Sequence, residues 1–312
     1  MYRLSWFHRS IDAIQTEDRE LSRRGLLAGG GATAAALAFG QFTAIAGRTS
    51  KLRFGFTTYQ WGNEWDIPTI IANCTQAKAF GVEVRTSAKY KHGVEPDISE
   101  SRRREVKRLF ADSPVNVIGI ASAARFDSPD PVALKTAIED AKAHVKLSSD
   151  VGATGVRVFP NDFHKEIPEE RTIAQISRSL NEVGKFAAGY GQMVRLENHG
   201  TAGRLVTLHK VMAMVEETNV RIKLNGDGRD AEGGTFAQNF ALVKNRLGDT
   251  LHMHELNGDR FPYQLQFDLL IDAGWEGWCF VEASAKVPDR FQALLEQKRI
   301  WDGMIAKSLT RS

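Results

Sequence analysis

Glu197, Asn225, His254 and Glu282 each close a short apolar run in the 312-residue chain: Val194-Arg195-Leu196-Glu197, Ile222-Lys223-Leu224-Asn225, Leu251-His252-Met253-His254 and Cys279-Phe280-Val281-Glu282. Two carboxylates, an amide oxygen and an imidazole are donors of the kind that hold a divalent metal, and the carboxylates can also move protons. The four residues are far apart in sequence, so the fold must bring them together. A helical stretch follows each run. When strands and helices alternate in this way, the carboxyl ends of the strands converge on one rim.

Eight such alternations are readable. Strand-like runs cover Leu52–Thr58, Val82–Ser87, Val115–Ala121, Gly155–Pro160, Met193–Asn198, Val220–Asn225, Thr250–Leu256 and Gly277–Ala283. The intervening stretches carry apolar residues three and four apart, as in Ile176, Leu180, Val183 and Phe186, which is the helical period. Gly81, Gly152, Gly191 and Gly274 each precede a strand and are expected to supply the left-handed residue that stops a helix. Eight units predict an α/β (β/α)8 barrel in one domain. No Gly-x-Gly-x-x-Gly follows the first strand, so a dinucleotide site has no support.

The first 46 residues are expected to stand outside that barrel. Ser22-Arg23-Arg24-Gly25-Leu26-Leu27 is a twin-arginine pattern, an uncharged Ala/Gly-rich stretch follows, and Ala44-Ile45-Ala46 is a small-x-small cleavage site. Together these predict a bacterial export signal, cleaved after Ala46 and recognised by the twin-arginine translocation machinery, with a periplasmic or extracellular destination. The alternative, an uncleaved anchor, is disfavoured by the many Gly and Ala. Removing the signal leaves 266 of the 312 residues, close to the ~250 of one barrel, with 36 basic against 34 acidic side chains, a formal charge of +2. That balance predicts no nucleic-acid footprint and no membrane association after signal removal. Arg102-Arg103-Arg104 with Lys107 and Arg108 lies on a predicted helix and reads as a solvated face. Cys74 and Cys279 are expected to be buried free thiols. A homo-oligomer is compatible with the helix faces but not specified by them.

Further polar residues are expected at the rim: Trp61 after the first strand, Arg85 and His92 on or after the second, Asn161 after the fourth, His199 after the fifth, Asp227 after the sixth and Arg260 after the seventh. His252 and His254, two apart on a strand, point to one side, and only one of them need bind metal. Each residue has an ordinary structural reading too, since a strand-end Glu can cap a helix and a lone His can be a satisfied core residue. Repetition at four successive strand ends favours a site.

Leu196-Glu197-Asn198-His199-Gly200, Leu251-His252-Met253-His254-Glu255 and Phe280-Val281-Glu282 resemble the sugar phosphate isomerase/epimerase superfamily with the xylose isomerase-like TIM barrel, over most of residues 51–307. The ketose 3-epimerase-like branch is the most similar. The resemblance implies one divalent metal ion (Mn, Mg, Co or Zn) on Glu197, His254 and Glu282, a small-molecule carbohydrate substrate, and a substrate contact from Arg260. Where that branch has Asp followed three residues later by His, this chain has Asn225 and Gly228. Asn225 is neutral, so the expected ligand set is Glu197, Asn225, His254 and Glu282, with Asp227 as a substitute for Asn225.

The chemistry so implied is isomerisation or epimerisation of a free or oxidised carbohydrate through an enediolate. Glu197 and Glu282 act as base and acid on opposite faces, and Arg260, His199, Trp61, Arg85, His92 and Asn161 bind substrate. Two alternatives share the scaffold: a metal-dependent lyase or dehydratase on a polyol or keto-sugar, and a non-catalytic carbohydrate-binding barrel with a decayed metal site. An abasic-site endonuclease would need more ligands and a basic groove.

Overall fold

The computed structural model describes Arg48–Arg311; the expected export signal lies outside the described residues. Eight parallel strands alternate with eight helices: β1 (Lys51–Thr57), α1 (Ile67–Gln76), β2 (Gly81–Arg85), α2 (Glu100–Ala111), β3 (Asn116–Arg125), α3 (Pro131–Asp150), β4 (Gly155–Phe159), α4 (Glu169–Ala188), β5 (Met193–Glu197), α5 (Leu205–Ala213), β6 (Val220–Lys223), α6 (Phe236–Val243), β7 (Thr250–Met253), α7 (Tyr263–Asp272), β8 (Glu276–Val281) and α8 (Arg290–Thr310). The sheet runs β6-β5-β4-β3-β2-β1-β8-β7. Its two ends meet through single backbone bonds, His252 N–H to Leu224 O at 2.7 Å and Gly248 N–H to Ile222 O at 2.8 Å. The result is a nearly closed (β/α)8 TIM barrel. Among the described residues, no helix is long and apolar enough to cross a membrane.

Local chemistry sets the helix boundaries. Asp66, Ser99, Asp130 and Asp289 each accept a backbone N–H at a helix start, satisfying donors that the helix itself cannot. Thr235 and Gln238 form a reciprocal capping box on α6. Gly152, Gly191 and Gly274 adopt the expected left-handed turn, but Gly81 does not; Lys78 takes that conformation instead. Gly81 lies within β2, where a side chain would run into the Trp278 ring, which reaches over β1 from β8. The basic run of α2 is neutralised along the surface, Arg102 by Glu105, Arg103 by Asp150 and Arg108 by Asp112. Cys74 and Cys279 are buried and unbonded, and burial pushes both thiols up.

Strand pleating separates two cores. One set of side chains, including Phe54, Phe56, Val82, Val84, Ile120, Val156, Val158, Val194, Leu196, Ile222, Leu251, Met253 and Cys279, joins the helices in the apolar core. The alternate set meets across the barrel and is mostly charged. At its base the Arg195 guanidinium donates to both Asp249 oxygens at 2.9 and 3.0 Å, to Ile118 O at 3.2 Å and to Thr154 Oγ1 at 2.8 Å. Glycines make room for this plug: a Cβ on Gly155 would lie 2.7 Å from Arg195 Nη1, and one on Gly119 at 2.9 Å.

Trp278 stacks along Phe280 and lies beneath the Arg53 guanidinium, so it cannot swing aside to admit a methyl group at position 81. Gly81→Ala is therefore expected to cost about 1–3 kcal/mol by overpacking, read as a lower midpoint in denaturant. Trp278→Leu in the same chain should recover most of the loss. A neutral Gly81→Ala would show that the ring has room to move.

Candidate functional site

Above the Arg195 plug, five strands each point an ionisable side chain inward: Glu83 from β2, Arg157 from β4, Glu197 from β5, Lys223 from β6 and His252 from β7. All five are at most 1 % exposed. Parallel register brings neighbours level, Arg157 beside Arg195 and Glu197 beside Lys223. Opposite charges then meet across the barrel. Lys223 Nζ donates to Glu83 and lies 2.8 Å from His252 Nε2, which also meets Glu83 Oε2 at 2.5 Å.

His252 Nδ1 faces the other way, 3.1 Å from Glu197 Oε2 and 3.2 Å from Glu282 Oε2. The same Glu197 oxygen accepts from Arg157 Nη1 at 3.0 Å, and Glu282 Oε1 accepts from Arg85 Nη1 at 3.1 Å. Arg157 is braced over the Phe159 ring at 4.1 Å and Arg85 over the Tyr59 ring at 4.5 Å. Glu197, Glu282, Arg157, Arg85, Phe159 and Tyr59 line a polar pocket of about 300 Å³ with His199, Asn225, Asp227, Arg229 and His254, and His252 is buried beneath it. Asn225 Oδ1, His199 Nδ1 and Arg157 Nε are buried without a hydrogen-bond partner, which leaves polar atoms of both kinds for a ligand to satisfy. Gly200 holds His199 in place: its φ is +70° and its Cα packs against the Asn161 backbone, where no side chain would fit.

The expected quartet Glu197, Asn225, His254 and Glu282 lines this one pocket, but the imidazole between the two glutamates is His252. His254 Nδ1 is turned to the Glu282 carbonyl oxygen at 3.1 Å, whereas His252, one pleat deeper, meets both carboxylates. Asp227 is not a free substitute ligand: it caps the short turn Gly228–Ala231 and is clasped by the Arg229 backbone N–H and guanidinium. Arg85 and His199 line the pocket. Four other substrate-binding candidates do not. Trp61 and Arg260 line an adjoining cleft of about 620 Å³ that shares His254 with the pocket, and Trp61 Nε1 donates to Ala285 O at 2.8 Å. Asn161 lies in a separate cleft and donates to Asp127 at 3.3 Å. His92 is a core residue: its Nδ1 accepts from Val94 N–H at 3.0 Å, and burial lowers its pKa to about 4.

Burial alone would strip the His252 imidazole of its proton. The Glu282 carboxylate, aided by Glu83 and Glu197 and opposed by Lys223, instead raises its pKa to about 10. Burial would likewise protonate Glu197, but Arg157 and His252 hold it well below its ordinary range. His252 does the same for Glu282, and Lys223 and His252 for Glu83. Both rim glutamates are thus carboxylates at neutral pH.

Donor type and spacing alone would suit a metal, since Glu197, His252 and Glu282 offer donor atoms within 4.8 Å of one another. Their charges do not. Three carboxylates, Glu83, Glu197 and Glu282, already face three cations, Arg85, Arg157 and Lys223, and the fourth expected ligand, Asn225, is neutral. With the His252 imidazolium the cations already outnumber these carboxylates, so a divalent ion would add two positive charges to a buried cluster with no negative charge to spare, and the arrangement does not fit one.

The charge network also sets the stability profile. His252, raised above its ordinary 6.5, stabilises fully below that pH, and its contribution is lost as pH rises through about 10. The depressed glutamates contribute above their ordinary 4.5, and that part is lost as pH falls through their folded values. Thermal stability should therefore fall from pH 6.5 toward 10 in wild type and less steeply in His252→Gln. Parallel calorimetric profiles would contradict a charged His252.

Residues 71–301 match the family model described as the xylose isomerase-like TIM barrel. No curated protein matches the sequence. Among solved structures, the chain is similar to 3-keto-D-glucoside 4-epimerase, YcjR, from E. coli (14 % identity, TM-score 0.67, covering 81 % of this chain and 100 % of that one). It is similar also to the IolI protein with a bound zinc atom (15 %, 0.70, 83 % and 100 %) and to an L-ribulose 3-epimerase (15 %, 0.68, 82 % and 95 %). At these identities the structures share the fold alone. With the family match spanning most of the barrel, the chain belongs to the xylose isomerase-like TIM barrel family.

Proposed function

We propose that this protein is a carbohydrate isomerase or epimerase that moves a proton at a carbon beside a sugar carbonyl. One observation carries the reading: two ionised carboxylates, Glu197 and Glu282, line a polar pocket and flank the same nitrogen of an imidazole buried beneath it. Either can take a proton from carbon, and His252 Nδ1 connects the two. A proton removed by one glutamate can then be matched by one delivered near the other, as inversion at a carbon requires. Asn225 Oδ1 and His199 Nδ1 offer unpaired atoms to hydroxyl groups, a donor and acceptor density suited to a carbohydrate. The similar folds that carry sugar epimerases, YcjR and L-ribulose 3-epimerase among them, support the same class. The zinc atom in the similar IolI structure supports one divalent ion, the cofactor implied by the sequence motifs, whereas the charge balance of this pocket weighs against it.

The twin-arginine pattern at Arg23-Arg24 supports an activity outside the cytoplasm, with free sugars and oxidised glycosides as targets.

The test is exchange of a sugar C–H for deuterium in D2O, followed by NMR over a panel of free ketoses and keto-glycosides. A substrate should show exchange in wild type, and Glu282→Gln should reduce it about 10²- to 10⁴-fold, the usual contribution of a positioned acid–base group. Undiminished exchange in that variant would remove Glu282 from the proton transfer.

A further inference from the structure

We propose that Arg157 supplies the positive charge for the reacting oxygen, so that this barrel performs its carbohydrate chemistry without a divalent ion. The inference rests on the carbohydrate reading above and assigns the oxyanion partner within the same pocket.

Three observations converge on Arg157. It lines the pocket with its side chain fully buried, and its Nη1 occupies the Glu197 oxygen that faces His252. Glu197 is one of the residues that would hold an ion, and this guanidinium already neutralises its carboxylate. Its position is over-determined by β4 register, the Glu197 ion pair and the Phe159 ring, so it cannot yield the place cheaply. Removing either partner of a buried ion pair strands the other charge, typically at about 3–5 kcal/mol. Its Nε–H has no acceptor within the protein, leaving a buried donor for a ligand oxygen. A neutral carbonyl oxygen would satisfy it, and an enolate oxygen would satisfy it better, because the guanidinium keeps its charge throughout.

The step balances without another reagent. A glutamate carboxylate forms an O–H bond as the sugar C–H bond breaks, and the electron pair moves into the carbonyl to give an enolate. Arg157 stabilises that oxygen by charge and hydrogen bonding while transferring no proton. Reprotonation at carbon restores the carbonyl and the carboxylate. Preorganised donors act in this way at developing oxyanions, where loss of one costs about 10²–10³ in rate.

The experiment uses the full chain purified without chelator. Its metal content is measured, its melting temperature is followed with Mn, Co, Zn, Mg or EDTA added, and C–H exchange is assayed with and without EDTA. The expected result is far less than stoichiometric metal, a melting temperature indifferent to ions and chelator, and exchange that EDTA leaves intact. Arg157→Gln should lower exchange about 10²- to 10³-fold, and the double variant Arg157→Gln/Asn225→Asp, which removes a cation and adds a carboxylate, should gain stabilisation by Mn or Zn. Stoichiometric metal in wild type, removed by EDTA together with exchange, would overturn the inference while leaving the carbohydrate reading intact. Absence of calorimetric sugar binding with or without metal would instead fail the carbohydrate reading.

Discussion

Charge buried inside the barrel must be compensated, and that constraint organises the rest of the structure. Glu83, Glu197 and Glu282 sit where water is largely excluded, and an isolated carboxylate there would neutralise itself or unfold its surroundings. Arg157, Lys223, Arg85 and protonated His252 meet them from other strands. Each partner is delivered by parallel register, so the network exists only when the barrel is formed. The same pairing keeps the two rim glutamates ionised, which is the state a base requires.

Layering follows from the same constraint. Arg195 and Asp249 seal the base, and glycines on β3 and β4 leave space for the guanidinium. Phe280 and Trp278 fill one side of the interior beneath the charges, and Lys223 lies over the Phe280 ring at 5.6 Å. Reactive groups are thereby confined to the upper pocket, while the apolar strand faces hold the helices. Buried ion pairs of this sort contribute little net stability, but removing one partner is costly. They fix geometry more than they add free energy.

The eight-fold alternation was legible because helical and strand periods differ, and because short strands buried on both faces read as apolar runs. Glu197 and Glu282 were legible as polar residues ending such runs. The network beneath them was not, although the signal is present: Val82-Glu83-Val84, Val156-Arg157-Val158 and Ile222-Lys223-Leu224 each place one charge between two apolar neighbours. In a barrel that alternation means an inward charge, and several of them must pair. The family resemblance points to His254, whereas the contact with both glutamates is made by His252, one pleat deeper. Trp61, Asn161 and His92 follow strands as rim residues do; the backbone paths after those strands carry them into other clefts or into the core, and no local pattern encodes those paths.

The most direct measurement is ¹⁵N NMR of protein labelled at histidine, with His252→Gln to assign the resonance. The charge network requires an imidazolium at residue 252 near pH 7.5, with both ring nitrogens protonated and no titration near the ordinary 6.5. A neutral His252 with one bare nitrogen, free to titrate or to ligate an ion, would contradict the account.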